Sequence, residues 1–204
     1  MNLLAHAYLS FNDPHLLVGN MISDYIKGKK QFEYEPGIQK GIRLHRFIDD
    51  VTDHHQATEE AKEFFRKDYR LYAGAVVDVV YDHFLANDVN EFANETALET
   101  FSLNTYVSLE KYQPVMPDKF AKMFPYMKSQ NWLYNYRYKE GIQRSLEGLV
   151  RRAAYLSDYK TAFGIFENEY DALKKTYDNF FPSLKLLALN WVKENAANVT
   201  DGLK

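Results

Sequence analysis

The segment from Tyr69 to Ala86 does most to limit what this chain can fold into. Leu71, Ala75, Val76, Val80, Phe84 and Leu85 belong to an apolar set that covers nearly the whole circumference of the helix the segment predicts. A helix apolar on all sides is buried, so other elements have to enclose it. Asp78 and Asp82 are set into this surface, four residues and so about 40° apart, in line with Leu71, Ala75 and Leu85. A carboxylate left unpaired in such surroundings is costly, so each has to find a cation, a hydrogen-bond donor or a metal. A buried arginine such as Arg46 or Arg144 is one candidate partner for Asp78.

Helical patterning runs through the rest of the chain, with no hairpin signal, internal repeat or low-complexity linker. The expected fold class is therefore all-α, a single helical domain over residues 1–204 with a polar tail from about Asn195. A short helix over residues 1–10 ends at Phe11-Asn12, and Asp13 and Pro14 cap and begin a second helix that runs to about Lys27. Gly28 to Gly37 reads as a charged surface loop. Thr58 resembles the start of a capping box, with Ala61 in place of the usual acid. Further helices are expected near 92–112, 118–129, 139–156 and 158–193, the last broken at Pro182. The aromatic run from Asn131 to Tyr138 suits core packing.

Between Gly41 and His55 a second polar row lies against apolar residues. A helical period of 3.6 places His45, Asp49, Thr52 and Asp53 within about 100° of one another, beside a stripe of Leu44, Phe47, Ile48 and Val51. Imidazole and carboxylate groups at the edge of a low-dielectric interior suit metal binding or proton transfer. The chain has no cysteine, so a bound metal has to use nitrogen and oxygen ligands, which favours Mn, Mg, Fe or Zn. Four separate places supply such ligands: His6; Asp24; His45 with Asp49; and Asp78, Asp82 with His83. Taken singly each also fits a structural role, His6 as a hydrogen-bonded core histidine and Asp24 as a helix-surface carboxylate. Together they fit a helical bundle that builds a metal centre from its inward faces. His83 lies some 140° from Asp78, so an undistorted helix cannot aim both at one point.

Charge is uneven. From Lys27 to Arg46 six basic residues stand against two acidic ones, a local +4 on a chain of net charge −3. Lys62, Arg66, Lys67 and Arg70 extend the bias. A basic rim beside a metal-competent row suits an anionic substrate, including an acidic protein, while the net charge argues against a general nucleic-acid binder. The opening residues have neither a basic leader nor the length of a membrane span, so a cytoplasmic protein without a membrane anchor is expected.

Asn2-Leu-Leu-Ala-His6, Gly19-Asn20 with Asp24 and Gly28, Gly41-Ile with His45-Arg46-Phe-Ile-Asp49, Thr52-Asp53, and Asp78 with Asp82-His83-Phe84-Leu85 occur in that order. With Asn131-Trp132-Leu133, Tyr136-Arg137 and Phe181-Pro182, they resemble the acyl carrier protein phosphodiesterases over nearly the whole chain. The resemblance implies a bundle like that of the HD phosphohydrolases and a need for Mn(II) or a similar divalent ion. It implies hydrolysis of the bond between phosphopantetheine and the serine of holo acyl carrier protein. It also implies that Asp24, His45, Asp49, Asp78, Asp82 and His83 lie around the metal with His6 close by. On this reading Asp24, His45, Asp49 and Asp78 serve catalysis, and Lys27 and Arg46 share the charge that gathers on the phosphate. A phosphohydrolase acting on a small nucleotide or other phosphoester, and a non-catalytic helical module, are the competing readings.

Overall fold

The computed structural model describes residues 1–195, and every regular element among them is helical. The polar tail expected from Asn195 lies, beyond that residue, outside the described residues. The first half comprises α1 (Leu3–Tyr8), α2 (Pro14–Ile22), α3 (Pro36–His54), α4 (Gln56–Tyr69) and α5 (Ala73–Ala86). The second comprises α6 (Glu95–Glu110), α7 (Asp118–Ser129), α8 (Trp132–Asn135), α9 (Lys139–Arg152), α10 (Lys160–Asn168) and α11 (Tyr170–Glu194). Short 3₁₀ turns occupy Ser23–Tyr25, Gly28–Glu33, Arg70–Tyr72 and Gln113–Val115.

α5 is the axis of the bundle. Val76, Val77, Val80, Tyr81, Phe84 and Leu85 are fully buried, and α1, α4, α9 and α11 pack around them. Leu71 is the exception to the expected burial. It lies before the α-helix begins, in the 3₁₀ turn, and is 99% exposed. Asp13 caps α2 by accepting from the N–H groups of His15 and Leu16, with Pro14 in the first turn, as its position before an apolar run requires.

α2 and α3 pack as closely as two helices can. A Cβ on Gly19 would stand 2.1 Å from the Ile38 carbonyl oxygen, and one on Gly41 would stand 2.4 Å from that of Leu16. Only hydrogen fits at either place. This contact presses the Asn20 backbone against His45 and so sets the geometry of the site.

Several boundaries differ from those expected. α2 ends at Ile22, and a 3₁₀ turn carries Asp24 outward. His55 caps α4 through Nδ1, which accepts from the Ala57 N–H, so Thr58 lies buried inside the first turn. The last helical stretch breaks at Glu169; Pro182 sits inside α11, where buried Phe180, Phe181 and Leu184 hold the helix to the core through the missing N–H. In the aromatic run Leu133 and Tyr136 are buried, as core packing requires. No helix among the described residues is long and apolar enough to cross a membrane.

Gly19→Ala is expected to lower stability by about 1–3 kcal/mol, because its methyl meets backbone that cannot step aside. Urea unfolding of the variant should show a lower midpoint at unchanged slope; an unchanged midpoint would mean that the two helices can separate freely.

Candidate metal centre

The site begins with α1, which at six residues is too short to be stable alone. Asp82 holds it. Its carboxylate, fully buried in α5, accepts from the backbone N–H groups of Leu4 at 2.7 Å, Asn2 at 3.1 Å and Ala5 at 3.3 Å. Burial raises the Asp82 pKa to about 7, against the Met1 amino group and these three donors. Asp82 is therefore an anchor for the helix start, with its oxygens committed there, and the structure does not bring it into the cavity. Its hold on α1 places His6 one turn further on.

Asn20 then orients two imidazoles at once. Its side-chain amide donates to the His6 carbonyl and to Ser10 Oγ, which fixes Oδ1 as the acceptor for His6 Nδ1 at 2.8 Å. Its backbone carbonyl accepts from His45 Nδ1 at 2.7 Å. Both Nδ1 atoms thus carry hydrogen, and the rings stack with centroids 4.0 Å apart and 18° between planes. Both Nε2 atoms face oxygen. His6 Nε2 lies 3.2 Å from Asp49 Oδ1 and 3.2 Å from the Met1 carbonyl oxygen. His45 Nε2 lies 3.1 Å from Asp49 Oδ2 and 3.0 Å from Asp24 Oδ1.

Two neutral rings in this arrangement would direct lone pairs at carboxylate oxygens. Burial disfavours charge on His45, yet Asp24 and Asp49 outweigh it and raise the pKa to about 9, so His45 takes a proton. His6 is pushed the other way, first by burial and then by the charge on His45, and its Nε2 keeps an unmatched lone pair. Although burial opposes ionisation of Asp49, the hydrogen bond from His45 holds its carboxyl far below the usual range; the His45 bond likewise lowers Asp24. One atom each from His6, His45 and Asp49 lie within 4.8 Å of one another. This donor set fits a divalent cation: two borderline nitrogens and a carboxylate converge, and each histidine's second nitrogen donates to an amide oxygen, the usual outer support of a metal-bound imidazole.

The cavity above these atoms has a volume of about 190 Å³, and Asp24, Thr52, Asp53, Asp78 and Met1 complete its lining. Asp78 Oδ1 is paired at 2.7 Å with the Met1 amino group, not with Arg46 or Arg144. The family model for acyl carrier protein phosphodiesterase matches residues 1–184, a span that contains every group named above. The chain belongs to the acyl carrier protein phosphodiesterase family. A relative of that name from Salmonella paratyphi A is 31% identical over 184 residues, 90% of this chain and 95% of the relative. One from Enterobacter sp. (strain 638) is 32% identical over 190 residues, covering 93% and 98%. No solved structure matches the chain.

Other residues expected at the centre of this acyl carrier protein phosphodiesterase family member lie elsewhere. His83 leaves α5 on a different face, as the 140° separation requires. Its Nδ1 donates to the Tyr136 carbonyl at 2.8 Å and its Nε2 meets the Tyr170 hydroxyl at 3.0 Å, among Phe84, Phe166 and Tyr170. Lys27 and Arg46 are exposed, and Arg46 Nη1 donates to Gln31 Oε1 at 2.8 Å, tying the 3₁₀ turn to α3. Among the described residues no carboxylate comes within 4.0 Å of a charged nitrogen of Lys27, Lys29, Lys30, Arg43 or Arg46. Lys62 and Arg66, by contrast, spend their charge on Asp53, Glu59 and Glu63. Asn20 was absent from the expected ligand and support set, although a polar residue inside the apolar run of α2 was its signal.

Burial lowers the His83 pKa to about 4. Between that value and the unfolded value near 6.5 the unfolded chain binds a proton that the folded one does not, so stability falls as pH drops through this window. The expected loss is on the order of 2–3 kcal/mol. Urea midpoints from pH 7.5 to 4 should fall more steeply for the parent protein than for His83→Gln; parallel curves would contradict this.

Proposed function

We propose that this protein is a divalent-metal-dependent phosphodiesterase that releases phosphopantetheine from the serine of holo acyl carrier protein, with Mn(II) as the ion. The observation that carries this reading is the pair of stacked imidazoles whose Nε2 atoms both turn toward Asp49. The names of the relatives support the substrate. His6, His45 and Asp49 would hold the ion, and Asp24 and Asp78 line the same cavity. When bound, the ion supplies Lewis acidity that activates water and offsets charge on the phosphate oxygens. With the ion held, His45 Nε2 would no longer donate to Asp24, whose carboxylate, 75% exposed, would be free to accept a proton from the attacking water. Asn20 keeps both rings in the tautomer that turns Nε2 into the cavity.

The cations that meet no carboxylate among the described residues give the substrate its approach. Lys27, Lys29 and Lys30 follow Asp24 along the chain, and Arg43 and Arg46 flank His45 in sequence, so exposed positive charge is concentrated on the two segments that carry those site residues. An acidic carrier protein is attracted to such a rim, and a basic residue at its edge shares the phosphate charge.

Incubation with holo acyl carrier protein and Mn(II), followed by intact mass, should show loss of the phosphopantetheine mass, and EDTA should stop it. Asp49→Asn should lower kcat on the order of 10³-fold. Paired Lys27→Glu and Arg46→Glu changes should raise KM about tenfold, with the difference shrinking as salt increases. Cleavage of nucleotides with holo carrier protein left intact would overturn the reading.

A further inference from the structure

A phosphodiester has two arms, and the basic rim accounts for one. The structure provides a second surface at the other end of the same helix. Asp53 lies eight residues beyond His45, about 12 Å along α3 at 1.5 Å per residue. It lines the cavity of the metal centre and also a larger groove of about 500 Å³ formed between α4 and the start of α5. Asp53 therefore borders both spaces.

The floor of this groove is Gly74. A Cβ there would lie 3.4 Å from Lys62 Cε and 3.9 Å from Asp53 Oδ1, so the missing side chain leaves the groove deeper beneath the Lys62–Asp53 ion pair. Ala73 continues the apolar floor. One wall is Leu71, the 99% exposed leucine. It is held outward by Arg70, whose backbone adopts φ 46° and ψ −118°, a conformation an arginine rarely takes. Strained backbone of this kind persists where the surroundings enforce it, and it collects at binding sites. Here it presents a large apolar side chain to solvent at the edge of a groove that shares Asp53 with the cavity of the metal centre. Of the cations lining the groove, Lys62 is paired with Asp53 and Glu59, and Arg66 with Glu59 and Glu63, which leaves Arg70 as the one with no carboxylate within 4.0 Å among the described residues.

We propose that this groove receives the pantetheine arm of the substrate, an inference that rests on the phosphodiesterase reading above. The arm is an uncharged extended chain with a branched dimethyl carbon and two amides. The groove offers matching chemistry: an apolar wall and floor in Leu71, Ala73 and Gly74, and polar groups of Asp53, Lys62 and Arg66 at its rim. With the phosphate at the metal centre, the carrier protein lies on the Lys27 to Arg46 side and the arm runs past Asp53 toward Leu71. α3 thereby sets the spacing between the two halves of the substrate.

Two variants test this. Gly74→Leu fills the floor against the flexible end of Lys62, and Leu71→Asn removes the apolar wall from a fully exposed position. Steady-state kinetics with Mn(II) on holo acyl carrier protein and on bis(4-nitrophenyl) phosphate, which has no arm, give the readout. The ratio of kcat/KM for carrier protein to that for the aryl diester should fall at least tenfold for Gly74→Leu and at least threefold for Leu71→Asn, through KM for the carrier protein. Free pantetheine should inhibit the parent protein and inhibit Leu71→Asn less. If Gly74→Leu fails to fold, Leu71→Asn and pantetheine inhibition decide. A parent protein that cleaves holo carrier protein while neither variant shifts the ratio and pantetheine does not compete overturns the groove assignment alone. A parent protein that cleaves only the aryl diester overturns both the assignment and the reading beneath it.

Discussion

Asn20 fixes two histidines from one position. Its side-chain oxygen and its backbone oxygen accept the Nδ1 hydrogens of His6 and His45, which leaves both Nε2 atoms directed at Asp49. Remove those two acceptors and either ring can rotate or change tautomer, and the carboxylate between them loses its partners. An acceptor-rich pocket of this kind is unfavourable for neutral rings and favourable for a cation, so the same contacts that order the site also suit it to the proposed ion. The difference between the two rings shows the strain. His45 is driven to hold a proton while His6 is driven to give its proton up.

Two long-range supports make this arrangement possible. Gly19 and Gly41 allow α2 and α3 to meet at backbone distance, which brings the Asn20 carbonyl to His45. Asp82 gathers three N–H groups at the start of α1, which brings His6 to the other side of Asn20. Those donors and the Met1 amino group offset part of the cost of burying the Asp82 carboxyl, so a polar group in the most apolar helix of the chain serves to place a residue it does not touch. α5 thus supports the centre from beneath, while α3 carries its working side chains.

Much of this was legible in the residues. An apolar circumference over α5, the four-residue spacing of His45 and Asp49, and the cap at Asp13 follow from local geometry, and local geometry survives folding. The 140° between Asp78 and His83 already separated the two. Contacts across long stretches of chain were not legible. Asp82 and Asp78 both read as inward carboxylates in need of partners, and nothing local says that one takes the backbone of α1 and the other the Met1 amino group. Leu71 read as core because the helical period was carried through Arg70, where the backbone turns left-handed and the period ends. Asn20 read as one polar residue in an apolar helix; its role depends on a close approach that only the opposed glycines reveal.

The central claim is that His6, His45 and Asp49 converge to bind a divalent ion. Crystals grown with Mn(II), measured with X-rays near the manganese edge, test it directly. The account predicts an anomalous peak at bonding distance from His6 Nε2, His45 Nε2 and an Asp49 oxygen, with the Asn20 hydrogen bonds retained. A peak bound instead by other carboxylates, or none at this position at saturating Mn(II), would contradict it.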